Sequence, residues 1–512
     1  MSKNKISRIF DKRMMAYMVF CLCPLIAGLI LGLISDTSIF SLDAWNTVWN
    51  DERGYYRAVQ TIRTQGLPTG VQGYNEAEAV WPAWGAYNAF TYVPFVLVSL
   101  FTGATSHNFI YYCNVIISIL ANVIFVSWIK PTKEKTVWLI LFSLTFLLYQ
   151  RYVWSGMSEA CSVFMMIASL TCAIKLFDEE TEEKHRVFLL VSLLLLSWFF
   201  GIIRPFLFAV ILIPITYIGI SNYGREKKII FIFSIIAGTA LAFLLYLELR
   251  KGCAPYFTSG TMDTLEGYLL LLKNGEILTL IKSVLMANYS AAVTIYDKLF
   301  NTIGLVSITF FVSTVLLGYM LATEKNKHRK VLLCACIWID ILIFEATIVL
   351  YSPAQLHRML LGPAVMNCYF LCVSENGIVK KIQQIVVVTV LICAIICRPD
   401  FFRLPQEKNV IDEVAVKAEF KEIMPYDEES KWGNTIAHAP ENENLYLHFC
   451  FPVYMSTSGC TLEYLENAIS NNTLKSKYLY IAEHSELNAL CSEKYEMLWN
   501  QYGYCIYRNK FE

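Results

Sequence analysis

The sequence has little charge for its length, and that charge is balanced. Only 16% of its 512 residues are Asp, Glu, Lys or Arg, against about 25% in ordinary soluble domains. Lysines and arginines together number 42, and so do aspartates and glutamates, so no excess of positive charge favours a nucleic-acid partner. Hydrophobic residues make up 56% of the chain, which indicates a protein with many membrane-spanning segments.

Signatures for nucleotide binding, zinc binding and secretion are also missing from the sequence. Neither G-x-x-x-x-G-K-[ST] nor a G-x-G-x-x-G that follows a strand occurs, so no bound nucleotide is predicted. No small-residue cleavage site follows the first apolar segment, which we therefore interpret as a membrane span rather than a signal peptide. The 16 cysteines fit no zinc spacing, and most lie in apolar segments as small hydrophobic residues. A disulfide stays open for the cysteines near the carboxyl terminus, Cys450, Cys460, Cys491 and Cys505.

Basic linkers between the apolar segments set the predicted orientation. Residues 1–13 are basic and precede an apolar segment at 14–35, which predicts a cytoplasmic amino terminus. The later basic linkers all fall on that side if the short apolar piece at 90–103 is re-entrant or interfacial. We predict about eleven spans, with the amino terminus inside and the carboxyl terminus outside. After 14–35 they are 107–129, 136–150, 156–177, 187–203, 205–220, 229–249, 302–322, 331–351, 359–373 and 383–397.

The predicted architecture is an all-α membrane bundle with a small soluble domain after it. The bundle takes residues 1–400 and carries a first external loop at 36–106, with interfacial helices, and a second at 250–301. Residues 401–512 are more polar and alternate short apolar runs with helical patterns, which predicts an extracytoplasmic α/β domain. Its strands are predicted at 445–450 and 478–481 and its helices at 411–423 and 485–499.

A group of acidic residues follows the first predicted span. Asp43, Asp51 and Glu52 lie near the external membrane interface in this topology. From Asp51 the sequence has a helical pattern with an apolar side that includes Tyr55, so we expect this helix to lie on the membrane surface. The tryptophans of the first loop, Trp45, Trp49, Trp81 and Trp84, either stack on a sugar or anchor the chain at the interface.

Four basic side chains lie at external ends of predicted spans. Arg204 has apolar sequence on both sides and no acidic neighbour in the sequence. Such an arginine reaches the interface with its charged end, pairs with an acid or binds an anion. Arg151, His357 and Arg358 lie on the same predicted side, which indicates a phosphate pocket near Asp51. The intramembrane Glu345 is a candidate ion-pair partner for one of these arginines.

The order of these features resembles that of the membrane glycosyltransferases with the C-type (GT-C) fold, which include protein O-mannosyltransferases and bacterial aminoarabinose transferases. Asp51-Glu52-Arg-Gly-Tyr55 resembles the Asp-Glu-x-x-Tyr-like motif after the first span of that family. Arg204-Pro205 resembles the Arg-Pro that opens a middle span, and His357-Arg358-Met-Leu-Leu-Gly-Pro363 resembles a late Arg-Tyr-Leu-Leu-Pro-like motif. The likeness covers residues 14–400. Met359 replaces the usual aromatic residue, Gly362 is an insertion, and the proline pair of the first loop is reduced to Pro82.

The resemblance implies an inverting enzyme of a bacterial plasma membrane that transfers a hexosyl or pentosyl group from a polyprenyl-phosphate donor. The acceptor would be an extracytoplasmic glycan, lipid or protein. Asp51 would act as the general base, with Glu52 or Asp43 orienting the reactants. The phosphate would be bound by Arg204, Arg358, Arg151 and His357, and the sugar or acceptor by Asp43, Tyr55, Trp81 and Trp84.

No obligatory metal or other cofactor is predicted, because arginines can neutralise the phosphate in place of a cation. Oxygen and nitrogen ligands for a divalent metal are nevertheless present in the first loop, namely Asp43, Asp51, Glu52, Glu76, Glu78 and His107. They show no compact ligand spacing.

Three other functions remain open from the sequence. A transporter or flippase of lipid-linked saccharides would place polar residues along a path through the membrane and often has inverted repeats. A polymerase or ligase of such saccharides is closer in chemistry to the predicted transferase. A non-enzymatic membrane scaffold would leave Asp51 and Arg204 without a role.

Overall fold

The structure is a computed structural model that describes residues 12–510. The parts outside the description within that range are 43–48, 66–71, 75, 77, 81–88, 103–107, 251–254, 406–410 and 440–444. Contacts divide the chain into two units. The first consists of Met1–Ile39, Tyr111–Leu247 and Gly260–Leu404. The second consists of Phe40–Ile110, Glu248–Ser259 and Pro405–Glu512.

The first unit is a bundle of apolar α-helices. Eight described helices are long and apolar enough to cross a membrane: Phe109–Ile129, Glu159–Leu176, Glu183–Ile203, Arg225–Arg250, Ile277–Asp297, Thr302–Thr323, Lys327–Leu350 and Gly377–Cys397. Three pairs pass the same test together but bend between their two helices: Arg13–Cys21 with Cys23–Ser35, Lys133–Thr145 with Leu147–Val153, and Pro353–Met359 with Leu361–Val373. The described chain thus has eight candidate spans, or eleven if each bent pair crosses once. The prediction of a multi-pass membrane protein is confirmed.

Two segments differ from the predicted set of spans. Pro205–Ile220 is a shorter apolar helix, and its first part, Pro205–Ile211, is a 3₁₀-helix. Ile277–Asp297, which the sequence places in an external loop, is instead a helix of 21 residues that is apolar enough to cross. Polar residues such as Lys282 and Asn288 interrupt the hydrophobic pattern of this segment. The segment therefore resembles a loop in composition, although it is a helix. The helix Pro255–Lys273 precedes it.

Side-chain caps fix the starts of three bundle helices at the basic linkers. The Thr132 hydroxyl accepts a hydrogen bond from the backbone N–H of Lys135, at 3.4 Å, where Lys133–Thr145 begins. Asn326 and Asn376 do the same at the starts of the two helices that follow them. Such caps satisfy backbone donors that the helix itself leaves unpaired. The linkers therefore have defined positions at one end of the bundle.

The second unit contains a mixed five-stranded sheet built from the carboxyl-terminal part. Its strands are β3 (Thr435–His438), β4 (Ser456–Gly459), β5 (Tyr478–Ala482), β6 (Glu496–Gln501) and β7 (Tyr504–Arg508), in the order β4-β3-β5-β7-β6. β3 pairs in parallel with β4 and β5, and the β5–β7 and β6–β7 pairs are antiparallel. The helices of this part are Glu413–Ile423, Leu462–Ser470 and Glu486–Lys494. The predicted α/β class of the tail is confirmed.

One predicted element of the tail is wrong in type, and one extends too far. The predicted strand at 445–450 is a 3₁₀-helix, Leu445–Phe449. Residues 447–450 are all buried, whereas a strand on a half-exposed sheet would alternate between buried and exposed side chains. The predicted helix at 485–499 ends at Lys494 and is followed by β6. The four tail cysteines, for which the sequence did not exclude a disulfide, are free thiols.

The first loop supplies another part of the second unit. Its elements are the helix Asn50–Gln65, the antiparallel hairpin of β1 (Gln72–Tyr74) and β2 (Glu78–Val80), the 3₁₀-helix Ala89–Tyr92 and the helix Val93–Thr102. Val93–Thr102 has ten residues, about 15 Å of helix, which is too short to cross a hydrocarbon core of about 30 Å.

The helix Asn50–Gln65 packs against the tail. The Tyr56 ring lies 5.2 Å from the Phe449 ring, between centroids, and Arg57 Nη2 donates to the carbonyl oxygen of Pro452 at 3.0 Å. The sequence predicts that the apolar side of this helix lies on the membrane surface. Protein side chains cover part of it instead, since Tyr55 is 2% exposed and its ring lies 5.9 Å from the Tyr92 ring.

Candidate functional site

Three charged side chains meet inside the first unit because each lies where a helix starts, ends or bends. Glu159 opens the helix Glu159–Leu176. Arg204 follows the helix Glu183–Ile203 in an extended conformation, with φ −138°, because Pro205 disfavours helical geometry in the residue before it. Arg358 lies in the short helix Leu356–Met359, before the 42° bend that leads into the next helix.

Both arginines donate to the same carboxylate oxygen. Glu159 Oε1 accepts a hydrogen bond from Arg358 Nε at 2.7 Å and from Arg204 Nη2 at 3.1 Å. The side chains are almost entirely buried, with exposed fractions of 0% for Glu159, 2% for Arg204 and 10% for Arg358. We call these three residues the Glu159 cluster. A buried ion pair of this kind is held by short, charge-assisted hydrogen bonds.

Further contacts fix the orientation of the two guanidinium groups. Arg204 Nη2 also donates to Ser158 Oγ at 2.6 Å, and Nη1 contacts Met359 Sδ at 3.6 Å. Arg358 Nη1 lies 3.5 Å from Gln355 Oε1. Met359 stands where the resemblance expects an aromatic residue, and its thioether is thus a direct neighbour of Arg204.

One oxygen of the Glu159 carboxylate serves both guanidinium groups of the Glu159 cluster. The second carboxylate oxygen, Glu159 Oε2, is buried and has no hydrogen-bond partner in the described part of the chain. Guanidinium groups donate to phosphate oxygens as they do to carboxylate oxygens, so the chemistry of the two arginines is compatible with an anionic ligand such as phosphate.

The other two predicted phosphate ligands lie in the same unit. Arg151 is 1% exposed, and it donates from Nε to the carbonyl of Phe401 at 3.0 Å and from Nη1 to that of Trp154 at 2.5 Å. These contacts tie Arg151 to the backbone. The ring of His357 lies 6.3 Å from the Tyr152 ring. A phosphate-binding role for Arg151 and His357 stays a prediction.

The predicted acids and sugar contacts lie in the second unit or outside the described residues. Asp51 and Glu52 are in the first turn of Asn50–Gln65, where Glu52 is 2% exposed and Asp51 is half-buried. Tyr55 lies on the same helix, with the packing given above. Asp43, Trp81 and Trp84 are outside the described residues. The roles of these six residues stay predictions.

Glu159 is the residue that sequence reasoning missed. The sequence shows it at the edge of an apolar span, on the same predicted side as the arginines. Those two properties together could have identified it as their partner. Glu345, the partner suggested from the sequence, instead accepts a hydrogen bond from Asn288 Nδ2 at 3.1 Å.

Metal ligation has no evident place among the described residues, in which no three His, Cys, Asp or Glu side chains come together as a possible site. Glu76, one of the possible ligands, has another use within the second unit. Its Oε2 accepts hydrogen bonds from the backbone N–H groups of Lys475 and Ser476, at 2.7 and 3.0 Å.

No protein-family model and no curated protein sequence matches the chain, but solved structures do. One is the oligosaccharyltransferase of Archaeoglobus fulgidus in complex with Zn and sulfate, with a TM-score of 0.50 and 13% identity over 95% of this chain and 73% of that one. Another is AglB from the same organism in complex with an inhibitory peptide and dolichol-phosphate, with a TM-score of 0.50 and 12% identity over 96% and 74% of the two chains. At such low identity the likeness is one of fold. The chain therefore has the GT-C fold that its sequence motifs predict.

Proposed function

We propose that the protein is a membrane glycosyltransferase that moves a sugar from a polyprenyl-phosphate-linked donor to an acceptor. The observation that carries the proposal is the likeness of fold, over 96% of the chain, to an oligosaccharyltransferase in complex with dolichol-phosphate. The acceptor is a cell-envelope glycan, a lipid or a protein on the extracytoplasmic side of a bacterial plasma membrane.

The proposed reaction is a single displacement at the anomeric carbon of the donor. An acceptor hydroxyl or amine attacks this carbon while the bond from the carbon to the phosphate oxygen breaks, and the oxygen keeps the electron pair. The Asp51 carboxylate takes the proton of the acceptor. One displacement inverts the configuration of the anomeric carbon. Glu52 or Asp43 orients the reactants, and Tyr55, Trp81 and Trp84 contact the sugar or the acceptor.

The Glu159 cluster supplies the charge for the leaving group in this proposal. Negative charge develops on the phosphate as the bond breaks, and buried guanidinium groups stabilise such charge strongly because water does not screen them. Glu159 has a positioning role, since its Oε1 holds Arg204 and Arg358 together. Arg151 and His357 are the further proposed ligands of the donor. The proposal assigns no step to a metal ion.

A transfer assay with the full chain in detergent tests the proposal. Polyprenyl-phosphate donors carrying different hexoses or pentoses are incubated with glycan, lipid and peptide acceptors, and Asp51→Asn is compared with the wild type. We expect the variant to lose about 10²- to 10⁴-fold in rate, the usual range for a positioned general base. Glu463→Gln is the matched control, because Glu463 is also a first-turn carboxylate in the second unit.

The outcomes separate the proposed transferase from the alternatives. Wild-type activity in a well-folded Asp51→Asn variant would remove Asp51 as the base. If the wild type transfers no sugar but moves the labelled donor across vesicles, the protein is a flippase. Repeated addition to a growing saccharide would identify a polymerase.

A further inference from the structure

A second pocket lies at the end of the bundle opposite the Glu159 cluster. It has a volume of about 580 Å³ and is lined by residues that include Lys175 and Val373. Lys175 is near the last residue of the helix that Glu159 opens, so about 1.5 Å of rise per residue separates the two sites by nearly the helix length. All of the lining residues belong to the first unit. Pockets of this size hold small organic ligands in other proteins.

The rim of this pocket carries unbalanced positive charge. Five cationic residues line it, against three acidic ones: Lys130, Lys135, Lys175, Lys325 and Arg329 against Asp178, Glu324 and Glu375. Two of the acids form ion pairs with rim lysines and the third accepts a backbone hydrogen bond, so five cations against three acids leave the rim with a net charge of +2. Glu375 pairs with Lys135, Asp178 pairs with Lys175 at 3.1 Å, and Glu324 accepts from the backbone N–H of Lys325 at 2.8 Å.

Three cations of the rim form no ion pair within the part of the chain that the structure describes: Lys130, Lys325 and Arg329. Arg329 is near enough to Glu375 to help lower the pKa of that carboxyl. Lys130 lies on a linker whose backbone is held in place, since Pro131 O accepts hydrogen bonds from Tyr17 Oη at 2.7 Å and from Arg13 Nε at 3.2 Å. The Lys325 linker is likewise held, because Asn326 Nδ2 donates to Glu179 Oε1 at 3.2 Å. Fixed linkers present their charges at a lower entropic cost of binding.

The wall behind this charged rim is apolar. Leu332 and Leu333 line it and are 2% and 1% exposed, and Met320 and Phe370 line it as well. The surrounding helices are apolar enough to lie in a membrane. A charged rim over an apolar wall matches a molecule with an anionic head and a hydrocarbon tail.

We propose that this pocket binds an anionic phospholipid, with its phosphate among Lys130, Lys325 and Arg329 and an acyl chain along the apolar wall. Basic pockets between membrane helices bind anionic lipid headgroups in other proteins. A soluble phosphate compound would satisfy the three cations and leave the wall exposed to water. The site is separate from the proposed donor site, and its existence does not depend on the proposed transferase activity.

Native mass spectrometry of the full chain in a neutral detergent tests this proposal first. The protein is titrated with phosphatidylglycerol and with phosphatidylcholine of the same acyl chains, and the bound lipid is counted. We expect a single tightly bound phosphatidylglycerol and no comparable phosphatidylcholine, because only the former carries net negative charge. Glycerol 3-phosphate is added as a competitor and is expected not to displace the lipid at equal concentration.

A pair of matched triple variants locates the site. Lys130→Gln/Lys325→Gln/Arg329→Gln removes the three unpaired cations of the pocket. Lys133→Gln/Lys327→Gln/Lys330→Gln removes three charges from the first turns of the helices that follow the two linkers, at residues that do not line the pocket. Each cation near an anionic lipid contributes roughly fivefold in affinity, so the pocket variant is expected to bind phosphatidylglycerol about a hundredfold more weakly. The control variant is expected to bind it as the wild type does.

The contrary outcomes are distinct. Equal loss in both triple variants would mean general attraction to a basic surface and would overturn the site. Equal binding of the two lipids would overturn selectivity for an anion. Displacement by glycerol 3-phosphate at equal concentration would identify a soluble phosphate compound as the ligand. If the pocket variant unfolds, the titrations of the wild type with the two lipids and the competition with glycerol 3-phosphate still show whether the protein selects an anionic lipid.

Discussion

At the scale of single residues, the largest effects on stability and on transfer are expected in the Glu159 cluster. Burial removes all three from water, and their mutual contacts compensate part of the cost. Removal of one partner leaves a charge with less compensation, whereas removal of a matched pair leaves less charge behind. Substitutions in the cluster can therefore show whether a side chain is needed for stability or for the transfer reaction.

Glu159→Gln is expected to destabilise the protein by about 3–5 kcal/mol, because it removes a buried carboxylate that pairs with two buried guanidinium groups. Thermal unfolding in detergent measures the loss. The double variant Glu159→Gln/Arg358→Gln is expected to recover part of it. Glu226→Gln serves as the control, since Glu226 is an exposed residue of the first unit. A Glu159→Gln variant as stable as the wild type would show that the carboxylate is not what holds the arginines.

Arg358→Lys tests the chemical role of the cluster. The ammonium group keeps the positive charge but loses the planar fork that binds two oxygens at once. We expect the transfer rate to fall by at least about tenfold. The fall should appear in kcat, because negative charge develops on the leaving phosphate as the bond breaks. A change in KM alone, with kcat intact, would place Arg358 in ground-state binding of the donor.

Among the elements, the contact between the helix Cys23–Ser35 and Trp154 is close enough to test by adding one methyl group. A Cβ atom on Gly28 would lie 2.2 Å from the Trp154 indole, whose Nε1 donates to the Pro24 carbonyl at 2.7 Å. Gly28→Ala is therefore expected to lower stability by about 1–3 kcal/mol. A Cβ atom on Gly318, inside the helix Thr302–Thr323, meets nothing within 4 Å. Gly318→Ala is thus the control, and equal unfolding temperatures of the two variants would contradict the contact.

The ion pair of Asp427 and Lys477 predicts how the second unit responds to acid. A hydrogen bond from Lys477 Nζ, at 2.8 Å, and one from the backbone N–H of Ser430 lower the pKa of the Asp427 carboxyl. A lowered pKa means that the group adds stability above its unfolded pKa, near 4, and that this stability is lost as the pH falls through the folded value.

Unfolding temperatures of the wild type and Asp427→Asn therefore follow a defined pattern with pH. The difference in favour of the wild type is expected to be constant from about pH 5 to 7 and to shrink below about pH 4. A constant difference down to about pH 3 would mean that proton binding to Asp427 is not involved.

Elements with a strong local pattern could be predicted from the sequence, whereas elements that depend on side chains distant in sequence could not. The 3.6-residue pattern after Asp51 and the apolar run at 478–481 predict a helix and a strand, and the structure has Asn50–Gln65 and β5 there. Residues 447–449 of the 3₁₀-helix Leu445–Phe449 are buried, in part by side chains distant in sequence, and a local pattern cannot show such burial. For the same reason the sequence identified Arg204 and Arg358 as unusual cations but not Glu159 as the group they share.

For the whole molecule, the number of crossings decides on which side the tail lies. The predicted eleven spans include 205–220 and leave out Ile277–Asp297, and the basic linkers then all face the cytoplasm. Crossing by both segments would make the number even and would put the two ends of the chain on one side of the membrane.

Epitope tags test the predicted orientation. One tag is inserted between Glu180 and Thr181, in a turn next to a basic linker, and the other is placed after Glu512. We expect antibodies to reach the second tag on intact cells and the first only after the membrane is permeabilised. Equal accessibility of both tags on intact cells would contradict the eleven-span topology.

The packing of the first loop on the tail has a consequence for synthesis of the protein. Glu76 and Ser476, which share a hydrogen bond, are 400 residues apart, and a ribosome adds about 5–20 residues per second. The helix that carries Asp51 is thus made roughly 20–80 s before the tail that covers it. During that interval the nascent chain lacks the surface on which Tyr56 and Arg57 pack, so the proposed base acquires its final surroundings only when translation is nearly complete. A chain truncated before the tail would therefore carry the arginines and the acid without the support that positions the acid.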